Sequence, residues 1–145
     1  MSPSTRRIWA WGPALAYMLL IWALSSISTQ LHFEFVPFQD KGVHFLEYGM
    51  LAALLAHAMR NTWPAWRSLS VFALAVVITV LWGLIDEIHQ AYVPGRSSDV
   101  RDVLADALGG MAGACLYAIA SRDQARARRL LGAQKANARE SGRSA

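Results

Sequence analysis

Cysteine is almost absent from this chain, and charge is scarce over long stretches of it. The single Cys115 among 145 residues excludes an internal disulfide and a cysteine-built zinc site. Its apolar neighbours suggest a buried, inert thiol. Charged residues make up 17% of the chain, and none falls within 8–27, 48–59, 68–85 or 107–121. Such runs exclude an ordinary solvated surface around those segments. There is no repeat of solenoid length. A calculated pI near 9.7 would suit nucleic-acid binding if the basic residues formed a folded patch. They sit instead at the ends of oily segments and in the C-terminal stretch, which argues against nucleic acid.

What is present is hydrophobicity in four stretches, at about 8–27, 40–59, 68–90 and 99–121. Each is close to the ~20 residues a helix needs to cross ~30 Å of hydrocarbon. Lipid satisfies no backbone hydrogen bonds, so a chain of this size spans as helices. The first stretch also carries a cleavage-like Ala23-Leu24-Ser25, but its length and its Trp9, Trp11 and Trp22 argue for a retained span rather than a signal peptide. Residues 60–67 (RNTWPAWR) read as a short loop, broken by Pro64 and anchored by Trp63 and Trp66 at the interface. Eleven of the fourteen basic residues flank one side if both termini are inside, leaving Lys41, Arg96 and Arg101 outside. The positive-inside bias therefore gives N-in and C-in. The expected fold is all-α, an integral membrane bundle of four transmembrane helices over residues 1–121. A basic cytoplasmic tail, 122–145, follows, its glycines and small polar residues suggesting partial disorder. The expected location is the bacterial cytoplasmic (inner) membrane.

The acids divide the other way. Eight of ten fall in the outer half, an excess of five negative charges over the bases there. Topology does not require this, since Asp and Glu contribute little to orientation. Lys41, His44 and Tyr48 share one helical face by spacing. Asp86 and Gln90 are four apart, with Glu87 beside them, and Asp102 and Asp106 are four apart. Gly109-x-x-x-Gly113 continues the fourth helix with the small residues that let membrane helices approach closely or dimerise. Similar depth on three helices predicts one shared polar site at the outer face. Each feature also has a plainer meaning. Asp99 and Asp102 suit the start of a helix. Pro94-Gly95 is a turn signature, Arg96 could pair with Asp99, His44 could be a bonded core histidine, and His57 reads as packing. Residues 30–39 (QLHFEFVPFQ) read as aromatic anchors or a short strand-like lid.

Two segments carry a family resemblance. Asp40-Lys41-Gly-Val-His44-Phe45-Leu-Glu-Tyr48 resembles the first signature of the VanZ-like membrane protein family. Asp86-Glu87-Ile-His-Gln90, then Pro94-Gly95-Arg96, then Asp102, resembles the second. The likeness covers about residues 40–113, and it departs at Asp106, where the family pattern carries Asn. It implies a few transmembrane helices and an association with low-level resistance to the glycopeptide teicoplanin.

Three functions fit these residues. In the first, the protein acts on a lipid or lipid-linked envelope component. Lys41 and Arg96 would hold a phosphate, with Tyr48, Gln90, Asp102 and Asp106 lining the substrate. Asp86, Glu87 and His44 would supply acid and base. Asp86, Glu87, Asp102, Asp106 and His44 could instead hold a divalent cation, with Asp86, Glu87 and Asp102 foremost; magnesium, calcium or manganese is expected, since hard oxygen ligands prefer these ions. In the second, the same groups bind a headgroup or an antibiotic without turnover, or the protein serves as an accessory to a membrane partner. The third is an ion or proton pathway, for which residues 71–85 offer only Thr79 as a relay. Membrane lipids, a lipid-linked cell-wall precursor or a glycopeptide are the expected partners, with a second copy through the Gly109/Gly113 face. Whether the site is catalytic is left open by the sequence.

Overall fold

In the computed structural model, residues 3–27, 39–96 and 98–141 are described, and they form four helices. These are α1 (Pro3–Ser25), α2 (Gln39–Thr62), α3 (Ser68–Gln90) and α4 (Val100–Ser141). No strand occurs among the described residues. Residues 30–38 of the expected lid lie outside them.

The local chemistry sets the helix ends. Trp63, Pro64 and their neighbours separate α2 from α3, and Arg60 Nη1 donates to the Trp66 carbonyl at 2.7 Å, closing that loop. At the other end of α3, Ala91 N–H still reaches the Glu87 carbonyl. The chain then turns at Gly95, whose φ of 81° favours a residue without Cβ. Asp99 Oδ1 accepts the Arg101 N–H at 2.9 Å, which caps α4 in the manner expected of Asp before a helix.

Burial is inverted relative to a water-soluble protein. Asp106 and Thr79 have no exposed surface, while Leu19 is 68% and Leu69 71% exposed. An apolar perimeter around buried carboxylates is the arrangement hydrocarbon requires, because charge in contact with lipid is costly. Three helices hold segments long and apolar enough to cross a membrane, Arg7–Ser25, Ser68–Gln90 and Val100–Gln134. α2 falls below that threshold because Lys41, His44, Glu47 and Arg60 dilute it. Its position accounts for this, since α2 touches each of the other three helices and is surrounded largely by protein. Its Leu51, Ala52, Leu55, Ala56 and Met59 form the centre of the apolar core, met by Ala14 and Ile21 of α1, Val71 and Ala75 of α3, and Ala114 of α4.

Glycine sets the approach of α2 to α4. A Cβ on Gly109 would run into the Phe45 carbonyl, and one on Gly113 into the Gly49 carbonyl. A Cβ on Gly49 would lie 3.1 Å from the Gly109 carbonyl oxygen. The glycine face that the sequence offered to a second copy is therefore covered by α2 of the same chain. Two further expectations change. Cys115 is exposed on the apolar perimeter, not buried. The helix does not fray after Arg122 but continues through Gly132 to Ser141. At about 1.5 Å per residue its 42 residues are roughly twice as long as the ~30 Å hydrocarbon layer.

The crossing predicts unequal effects of one substitution. Gly113→Ala places a methyl group on backbone and is expected to cost about 1–3 kcal/mol, as overpacking does. Gly132→Ala meets nothing within 4 Å and should be neutral or stabilising by up to about 1 kcal/mol. Thermal unfolding in detergent distinguishes the two.

Candidate functional site

The polar groups gather at the end of the bundle where α2 begins, α3 ends and α4 begins. Inward-facing spacing on each helix brings them there. His44 Nδ1 and Asp106 Oδ1 are 2.9 Å apart, joining α2 to α4, and both residues are buried. Asp106 lies against α3 as well: a Cβ on Gly83 would collide with its carboxylate. One aspartate thus occupies space left by a glycine on one helix and holds a histidine on another. Tyr48, one turn below His44, has its ring parallel to the imidazole with centroids 6.0 Å apart.

Lys41 donates to Asp102 Oδ1 at 2.9 Å and to Asp99 Oδ2 at 3.2 Å. The Arg101 backbone N–H and then the Lys41 ammonium hold the exposed Asp99 carboxyl below the usual carboxylate range. Its partner is therefore Lys41, where the sequence allowed Arg96. On α3, Gln90 Nε2 donates to Asp86 Oδ2 at 2.9 Å, and Glu87 Oε2 accepts the Asp99 N–H at 2.9 Å. Glu87 therefore anchors the loop into α4 through one oxygen.

The sequence-predicted residues divide into two groups by position. His44, Glu87 and Asp102 are all buried, and each offers a ligand atom within 4.8 Å of the others. Of the five candidate cation ligands in the sequence, the fold thus gathers His44, Glu87 and Asp102, while Asp86 faces Tyr48. Lys41 is engaged by two carboxylates and is not presented alone to a phosphate. Arg96 follows the Gly95 turn, lies within electrostatic range of Glu47, and has a buried Nε without a hydrogen-bond partner.

Several polar atoms in this region are buried and unpartnered: Tyr48 Oη, Asp86 Oδ1, Glu87 Oε1, Arg96 Nε and Asp106 Oδ2. Buried polar groups are ordinarily hydrogen-bonded, and five atoms without such a partner are concentrated at this end of the bundle. Six carboxylates (Glu47, Asp86, Glu87, Asp99, Asp102, Asp106) share the region with three full cations among the described residues, Lys41, Arg96 and the exposed Arg101.

Sequence reasoning passed over three contributors. Glu47 is half-buried and electrostatically coupled to His44, Asp86 and Asp106; its i+3 spacing from His44 was the available signal. Gly83 is legible only once Asp106 is seen against it. His89 Nε2 meets Ser26 Oγ at 2.9 Å and stacks on Trp22 with centroids 3.9 Å apart, fastening α1 to α3 beside the site. His57, by contrast, is exposed and bonded to Asn61, away from the polar cluster.

Asp106→Ala leaves the buried His44 Nδ1 without its carboxylate. Breaking a buried pair from one side costs roughly 3–5 kcal/mol, and the thermal midpoint should fall accordingly. Asp106→Asn keeps the size and a hydrogen-bonding atom and should lose less than half of that, in the same measurement.

The family model described as VanZ/LLP1 matches residues 4–121. No curated protein and no solved structure matches the chain.

Proposed function

The chain is a member of the VanZ/LLP1 family, and from that premise we propose that it is a four-span protein of the bacterial cytoplasmic membrane. Both termini face inward, and the polar site lies beneath the outer surface. There it binds the headgroup of a lipid or lipid-linked envelope component. The positive-inside distribution supports this orientation. α2 completes the fourth span within the shelter of the other helices.

The observation that carries the reading is the set of unpartnered buried atoms. Arg96 supplies a donor, and Asp86, Glu87 and Asp106 supply acceptor oxygens. A ligand that fits both must carry an anionic group for the guanidinium and hydroxyl or ammonium donors for the carboxylates. Phosphate-bearing headgroups with sugar or amino substituents have this composition, and Arg recognises phosphate through paired N–H donors. Lys41 serves the site indirectly, by holding Asp99 and Asp102 in place. A glycopeptide-resistance phenotype would act through the envelope lipid so bound.

A second reading, turnover of the bound lipid, rests on the His44–Asp106 pair. A carboxylate that fixes one imidazole nitrogen prepares the ring for proton transfer, and Glu87 lies beside it.

Both readings are tested with the protein in nanodiscs and its co-purified lipids identified by native mass spectrometry. Arg96→Gln should reduce retention of phosphate-bearing lipid by about tenfold, the worth of one charge-assisted contact of about 1.5 kcal/mol. Arg101→Gln, at an exposed position, should change it little. Equal retention by Arg96→Gln and the parent protein would refute the headgroup site. For turnover, Glu87→Gln should abolish any lipid change that the parent protein produces in cells while retaining bound lipid. If the change persists with Glu87→Gln, Glu87 is not the catalytic group; if the parent protein produces no lipid change, the site binds without catalysing.

A further inference from the structure

The trio His44, Glu87 and Asp102 comes from three different helices, yet its ligand atoms converge within 4.8 Å. We propose that these residues form a binding site for one divalent cation of the manganese or magnesium type. The proposal does not require that the site bind lipid.

Four features of the surroundings support it. First, the donor set is two carboxylates and one imidazole, which suits a hard or borderline divalent ion; thiolates that would favour zinc are missing from the site. Second, each residue is already positioned by a hydrogen bond within the protein. Asp106 engages His44 through Nδ1 and fixes the orientation of the ring. Metal-binding histidines are ordinarily oriented in this way by a carboxylate on the opposite nitrogen. Asp102 gives Oδ1 to Lys41, and Glu87 gives Oε2 to the Asp99 N–H. Third, Glu87 Oε1 is buried and has no hydrogen-bond partner, on a residue only 3% exposed. An ionised oxygen in that position is costly without a positive partner, and a bound cation supplies one. Fourth, six carboxylates share this end of the bundle with three full cations, Lys41, Arg96 and Arg101, and a dication offsets two of the three remaining negative charges.

Asp86 is not part of this convergent set. One of its oxygens accepts from Gln90, and the residue faces Tyr48.

The test uses the full chain in detergent, stripped with chelator, and Mn²⁺ alone as the probe, with free Mn²⁺ followed by electron paramagnetic resonance. Saturable binding of one Mn²⁺ per chain is expected, with competition by Mg²⁺. Glu87→Gln and Asp102→Asn should each weaken binding by about tenfold or more, the scale on which even supporting residues of metal sites act. Asp123→Asn, at an exposed position outside the polar cluster, should bind within about threefold of the parent protein. Circular dichroism establishes that each variant remains helical. Absence of saturable binding by the parent protein overturns the site whatever the variants do. So does parent-like binding by folded Glu87→Gln or Asp102→Asn, or a loss in Asp123→Asn as large as theirs. Because no lipid is added, a failed metal site and a failed headgroup site give separate results.

Discussion

The hydrogen bond between Asp106 and His44 is the contact on which the arrangement of the polar end of the bundle depends. It is buried, it joins α4 to α2, and it exists only because Gly83 on α3 leaves room for the carboxylate. Three helices are therefore positioned by one side chain and the absence of another. The depth of the bond matters too. Asp106 lies one turn below Asp102, so it sits too far into α4 to act as a helix cap, whereas Asp99 does cap the helix. A carboxylate at that depth needs a hydrogen-bonding partner, and the fold provides His44.

The wider architecture follows from placing the most polar helix where lipid touches it least. α2 carries Lys41, His44 and Glu47 within two turns, which no lipid-facing span tolerates cheaply. It is encircled by α1, α3 and α4, whose exposed leucines and isoleucines face outward. The glycines at 49, 109 and 113 permit α2 and α4 to meet backbone to backbone, replacing the hydrophobic drive that lipid removes with close packing. At the opposite end, Trp11 donates to Thr62 at 2.8 Å and packs edge-on against Trp63. The bundle is thus fastened by aromatic contacts at one end and by charge at the other.

Much of this was legible in the sequence because it depends on local regularities. Runs without charge place α1 and α3 within a few residues, and the i, i+4 spacing of Asp86 and Gln90 corresponds to the hydrogen bond between them. Gly109 and Gly113 were readable as a close-packing face. Its partner was not, because spacing alone does not distinguish a neighbouring helix from a second chain. The same limit applies to charge. Sequence assigns Lys41 and Arg96 the same phosphate-binding role, but Lys41 projects onto Asp99 and Asp102, while Arg96 lies beyond a turn. Sequence also groups Asp86 with Glu87 because they are adjacent. Adjacent helical residues point about 100° apart, and this rotation sends Asp86 toward Tyr48 and Glu87 toward Asp99 and His44. The continuation of α4 through Gly132 was hidden for another reason: one glycine in a long helix costs about 1 kcal/mol, too little to end it.

The polar layer therefore contains two populations, distinguished by satisfaction rather than by residue type. Lys41, Asp99, the capping end of α4 and the Gln90 side of Asp86 have protein partners and hold the helices in register. Glu87 Oε1, Asp86 Oδ1, Asp106 Oδ2, Tyr48 Oη and Arg96 Nε are buried without them. Tyr48 and Asp86 face each other, but a structural network alone gains nothing from leaving Glu87 Oε1, Asp106 Oδ2 and Arg96 Nε unmatched, since each costs on the order of 1–3 kcal/mol. Their arrangement makes sense if the missing partners arrive from outside: cationic groups or hydrogen-bond donors for the oxygens and an anion for the guanidinium. In Asp86, Glu87 and Asp106 one carboxylate oxygen is bonded within the bundle and the other is not. Glu87 is the clearest case, with Oε2 fixed to the backbone of the loop. The stability of this end of the bundle and the proposed function thus draw on the same side chains through different atoms.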